Sequence, residues 1–171
     1  MRKRTPRKSM RSSIDAFHRT LALAHTGPAA LEMIVDLELA AEAVRSKFID
    51  GTATVNTYID LNHINCMTWQ MARQISLHRK KGSEETTQIA IMVKEVTEKC
   101  ADVLLSIGRR GNLTKKYGVT DNELKQIDEM LDFHHQALGI LDQGMITRAM
   151  IDAGHMVNAH LIPKAMPDSC S

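Results

Sequence analysis

Apolar residues recur along this chain at spacings of three and four, the period of helices that bury one face. The clearest stretch runs from Asp121 to Gln143, where Leu124, Ile127, Leu131, His134, Leu138, Leu141 and Met145 form an unbroken seam. Thr120 is a suitable N-cap there, and Glu123 stands where its carboxylate can reach back to the cap. Met130, Phe133, Ala137 and Ile140 add a second apolar strip, which places this helix at the centre of the fold.

The same period predicts five further helices. Ser12 or Ser13 opens one that runs to about His25, carrying Ile14, Phe17, Leu21 and Ala24 on one side. Gly27 ends it, and Pro28 starts a second helix to about Ile49 with Ile34, Leu37, Ala41, Val44 and Phe48 as its seam. Gly51 closes that one. A third covers about Val55 to Lys80, seamed by Leu61, Ile64, Thr68, Met71, Ile75 and His78, and Gly82 breaks it. Ser83, Glu84 and Glu85 open a fourth, with Ile89, Val93, Val96, Cys100, Val103 and Ile107 inward and Arg109 and Arg110 before a stop at Gly111. Gly144 reads as a turn or kink, and a last helix follows from Met145 to about Leu161. No run of alternating β-branched residues and no Asn-Gly hairpin turn interrupts this pattern.

The fold class is therefore all-α: a single-domain bundle of about six helices, mostly antiparallel because the connections are short. The 171 residues suffice for one core without metals or disulfides. Residues 1–11 read as a basic disordered arm, 12–162 as the bundle and 163–171 as a flexible tail after Pro163. Aromatics make up only 4% of the chain against 11 methionines, a composition that suits helix–helix packing and adaptable contact surfaces.

Charge adds an asymmetry. Arg2, Lys3, Arg4, Arg7, Lys8 and Arg11 lie in the arm, leaving 16 of the 22 basic residues against 20 acidic ones, a body of net −4. Such an arm would neutralise phosphates without reading sequence, and with no aromatic in it single-strand stacking has no support. Its plainer role is a solvated terminus or a contact to an acidic protein. Cys66, Cys100 and Cys170 are odd in number and lack CxxC spacing, which argues against a disulfide framework and a cysteine zinc site. A reducing, cytoplasmic setting is expected. No apolar run approaches membrane-spanning length, and no apolar stretch of signal-peptide type follows the basic start.

Candidate chemistry is sparse. The stretch from Leu113 to Ile127 resembles the helix-turn-helix of DNA-binding regulators, with Gly118 in the turn and Leu124 and Ile127 anchoring the second helix. In that reading Arg109, Arg110, Lys115 and Lys116 meet phosphates while Asn122 and Gln126 face bases. Asp121, Glu123, Asp128 and Glu129 oppose it, and the plainer reading is a basic loop leading into a capped bundle helix. His134 and His135, near Asp128 and Asp132, are weak candidates for a metal site drawn from several helices, but Glu-x-x-His motifs are absent. His155 and His160, five apart, fall on different faces. Phosphate-cradling glycine loops, GxSxG and a Cys–His nucleophile pair are all missing, so neither a cofactor nor an enzyme activity is expected. Asn62, His63, Asn65 and Cys66 beside Trp69 make a polar patch in mid-helix, which calls for a buried polar network or a partner groove.

Over residues 26–157 the chain resembles small helical proteins carried by phages, prophages and plasmids. The resemblance lies in Thr26-Gly-Pro-Ala-Ala-Leu, Tyr58-Ile-Asp-Leu-Asn-His-Ile-Asn, Ile107-Gly-Arg-Arg-Gly and Leu131-Asp-Phe-His-His-Gln. It implies a mobile-element origin and carries over no catalytic residues. The expectation is a non-enzymatic accessory or regulatory protein that binds a protein partner or a second copy as a homodimer, with nucleic acid as a further partner and no membrane. The alternatives are a helix-turn-helix regulator, a histidine–carboxylate metal bundle and an inhibitor of a host enzyme.

Overall fold

The computed structural model describes residues 31–78 and 84–159. They form five helices: α1 (Leu31–Ile49), α2 (Val55–His78), α3 (Glu84–Thr114), α4 (Asp121–Leu138) and α5 (Gln143–Asn158), with no strand among the described residues. The all-helical bundle is as expected. The arm, the helix read over Ser12–His25, the start at Pro28, the breaks at Gly82 and Ser83, His160, Cys170 and the tail lie outside the described residues.

Local chemistry sets the ends. Gly51, at φ +69°, adopts the left-handed conformation after α1, and the Gly51 and Thr52 N–H groups close back onto the carbonyls of Phe48 and Lys47. Thr54 and Thr57 exchange backbone-to-hydroxyl bonds at the start of α2. Thr120 and Glu123 form the anticipated reciprocal cap on α4.

Three boundaries differ from the sequence reading. First, α4 stops at Leu138 and not at Gln143, because the helical ladder tightens at Ile140, whose N–H bonds the Ala137 carbonyl three residues back, and the chain turns there. Asp142 then caps α5 by accepting the Met145 N–H at 2.8 Å. Met145 thus belongs to the next helix, Gly144 is buried inside that helix and not a kink, and Ile140 is exposed. Second, α3 runs through Gly111 to Thr114. The left-handed residue that follows is Lys115, at φ +60°. Gly111 is there for closeness: a β-carbon on it would overlap the Tyr117 ring, and one on Gly108 would press on Tyr58. The two tyrosine rings lie 5.9 Å apart over this smooth face of α3. Gly111→Ala should therefore destabilise the wild type but, with the ring removed in Tyr117→Ala, should stabilise by up to about 1 kcal/mol through helix propensity. Denaturation of the four-member cycle shows whether the sign reverses.

Third, the hub is α2 and not α4. α2 packs against all four other helices, whereas α4 meets α1, α2 and α3. Two apolar clusters result. One gathers Val44, Phe48, Leu61, Leu104, Ile107 and Ile127, and the other Met67, Met71, Leu138, Ile146 and Met156. Between them α2 carries buried polar residues, among them Asn62, Asn65 and Thr68.

Candidate functional site

Three places on this framework hold the polar chemistry. The first is the corner where α3 passes into α4. Arg110 donates to both carboxylate oxygens of Glu123, at 2.8 and 2.7 Å, to the Gly118 carbonyl at 2.8 Å, and to the Ser106 hydroxyl at 3.0 Å. Glu123 also accepts the Thr120 N–H at 2.8 Å. Burial by itself would raise the Glu123 pKa, but the bonds from Arg110, Thr120 and Ser106 outweigh it and hold the carboxyl at about 2. A carboxylate whose pKa is depressed by folding stabilises above its ordinary value near 4.5 and stops doing so as pH falls toward 2. Since Arg110 is partly exposed, Glu123→Gln should cost only about 1 kcal/mol at neutral pH. In acid titrations of stability the variant should lack the loss between those two pH values.

Arg110 is thus a strut of the corner rather than a free cation. Arg109, Lys115 and Lys116 are exposed beside it, Asn122 is exposed on the first turn of α4, and Gln126 is half-buried one turn on. Gly118 does not take the left-handed turn conformation, and Leu113 is 85% exposed, so neither serves as a helix-turn-helix anchor would. Ile127 is buried among α3 residues as that pattern requires. The cations of the arm, Arg2, Lys3, Arg4, Arg7, Lys8 and Arg11, lie outside the described residues.

The second place is the polar layer. Thr68 donates its hydroxyl proton to the Ile64 carbonyl at 2.8 Å, which can only accept. Its oxygen is then left to accept from His134 Nδ1 at 2.9 Å, which fixes that tautomer. Burial, with His135 adding to it, pushes the His134 pKa down to about 4. Asn65 Nδ2 donates to the Thr97 carbonyl at 3.2 Å, and the Cys66 thiol to Asn62 Oδ1 at 3.8 Å. The polar patch read in mid-helix is therefore a buried network, except for exposed His63. Burial also pushes the Cys66 and Cys100 thiols up to about 12, which keeps them protonated and unreactive.

The third place was not anticipated. A groove of about 390 Å³ runs between α1 and α4, with Val35, Leu39 and Leu131 in its apolar lining and Glu38, Glu42 and Asp132 around them. His135 points into this region, its Nδ1 at 3.1 Å from Glu38 Oε1, while His134 points into the core. Both histidines border the groove, but no three potential ligands among the described residues gather as a metal site would need. Along α1, Leu31 and Leu39 are 75% and 63% exposed, with Val35 between them on the same face. A signal for this stripe was present: Leu31, Val35 and Leu39 repeat every fourth residue outside the seam that α1 buries.

No helix among the described residues is long and apolar enough to cross a membrane. Compared with families of known proteins, curated sequences and solved structures, the chain matches none.

Proposed function

We propose that this chain is a non-enzymatic helical accessory protein that acts by binding, with the α1 stripe and the α1/α4 groove as its partner surface. The observation that carries the reading is the row Leu31, Val35 and Leu39, left uncovered beside an apolar groove with an acidic rim. Its support from chemistry is that the Cys66 and Cys100 thiols are fully buried and held protonated, as suits packing groups. A protein partner, a second copy in a homodimer and a host enzyme to be inhibited are the occupants this reading covers. A regulatory role in a mobile element fits it.

The test uses the full chain and Leu39→Glu. The wild type should form a stoichiometric complex, with itself by light scattering or with a protein from its own cells by affinity capture, and Leu39→Glu should lose it. Equal behaviour of the two would overturn the assignment of this surface.

A second reading rests on Arg109, Lys115 and Lys116, which stand exposed at one corner and, with the basic arm, would meet duplex phosphates. Fluorescence anisotropy with a random duplex should then show affinity falling steeply between ~50 and ~200 mM salt, and a further drop in Lys115→Glu/Lys116→Glu. No binding at the lowest salt would sink the nucleic-acid reading, including its helix-turn-helix form.

A further inference from the structure

The α1/α4 groove combines an apolar floor with a charged surround of one sign. Val35, Leu39 and Leu131 lie within a ring of Glu38, Glu42 and Asp132. Leu31, Val35 and Leu39 stand four residues apart on α1 and are 75%, 41% and 63% exposed, so they form one open ridge about 12 Å long. A ridge of this spacing packs into the furrow of another helix. A strand would have nothing to pair with there, because the backbones of α1 and α4 bond within each helix and offer no edge.

Charge narrows the occupant further. From Leu31 to Val44, α1 carries Glu32, Asp36, Glu38 and Glu42 and neither lysine nor arginine. From Gln126 to Leu138, α4 carries Asp128, Glu129 and Asp132 and again no lysine or arginine. The first arginine on α1, Arg45, is committed to Asp128 by two bonds, at 2.7 and 3.1 Å. A second copy of this surface would bring acidic walls together, which is unfavourable. Nucleic acid and an anionic bilayer are repelled for the same reason. What fits is a helix with apolar residues at spacings of three and four and cations flanking them.

We propose that the α1/α4 groove docks a basic amphipathic helix of a partner protein, its apolar face on Leu31, Val35 and Leu39 and its Lys or Arg side chains over Glu38, Glu42 and Asp132. The inference rests on reading that groove as the binding surface. It adds the chemistry of the partner.

Selection from a phage-displayed library of random peptides tests it, with peptides of about 16 residues, or ~4 helical turns. The target is the full chain, with counter-selection on Leu39→Glu. Enriched sequences should repeat apolar residues at helical spacing and carry net positive charge. A synthetic copy of the strongest should gain helical ellipticity on binding. It should bind Leu39→Glu and Glu38→Lys/Glu42→Lys about tenfold or more weakly than the wild type. Exchanging its cations for Glu should restore binding to Glu38→Lys/Glu42→Lys and not to Leu39→Glu. Enrichment of acidic or aperiodic sequences, or of none, would overturn the proposal. A wild-type homodimer that Leu39→Glu dissolves in light scattering would also overturn it, while leaving the groove as the binding surface. Basic helical peptides that bind Leu39→Glu as tightly as the wild type would sink both, since their site would then lie elsewhere.

Discussion

Lowering the pH from 7 to 4 should remove about 3 kcal/mol of stability through one residue, and His134→Gln should abolish most of that loss. The imidazole is buried, bonded to Thr68, and held at a pKa of about 4 against an ordinary 6.5. A histidine whose pKa is lowered by folding binds its proton more readily in the unfolded chain. Its neutral form is therefore compatible with the fold above pH 6.5, and stability drains away as pH falls from there toward 4. Glutamine occupies a similar length, retains an amide that can donate to Thr68 Oγ1, and cannot titrate. Urea denaturation of both proteins at neutral and acidic pH separates the slopes. Equal acid losses in the two would show that His134 titrates normally and is open to water. The Glu123 contribution falls in a lower pH window, so the two groups can be told apart.

The second large effect has the opposite sign. Gln70→Met should raise stability by about 1–2 kcal/mol. The Gln70 amide is buried between α2 and α5, its Nε2 donating only to the Met156 sulfur at 3.2 Å, and its Oε1 finds no donor. A thioether is a weak acceptor, so the amide leaves water for little return. Methionine fills nearly the same volume without a polar atom and can lie along Met156. A rise in the denaturation midpoint with unchanged denaturant slope is the expected result. A fall would mean that the Gln70 carbonyl is satisfied in solution.

The hub of the bundle was hard to read for a physical reason. A clean seam of three-and-four spacing requires a polar solvent face to stand against, so it marks a helix at the side of the core. α4 has such a face, and its period was legible from Ile127 to Leu138. α2 is enclosed by four neighbours, and two of its inward polar residues are answered from other helices: Thr68 by His134, and the Asn65 amide nitrogen by the Thr97 carbonyl. Nothing near Thr68 or Asn65 in the chain announces those partners, 66 and 32 residues away. The capping box at Thr120 was legible because both members lie within one turn. Arg110 was misread as a surface cation because its carboxylate stands thirteen residues on, beyond a loop. Gly111 was misread as a stop because a glycine admitted for a neighbouring ring looks, in sequence, like one that ends a helix. The groove needed α1 and α4 brought together, and only its α1 half was written as a repeat.

The polar layer also decides which arrangement of helices the chain accepts. Apart from Phe48 and the two cysteines, the apolar clusters on either side are built from Met, Leu, Ile, Val and Ala, side chains that interchange positions with little penalty. If α2 slid one turn along α4, Leu and Met would find equivalent company, but the buried His134 N–H would lose its acceptor on Thr68, which would keep only its bond to the Ile64 carbonyl. The Thr68–His134 pair thus acts as a key that admits one alignment of an otherwise permissive core. Thr68→Val/His134→Leu should consequently hold stability or raise it while broadening the core methyl resonances in NMR spectra, as several alignments become nearly equal in energy.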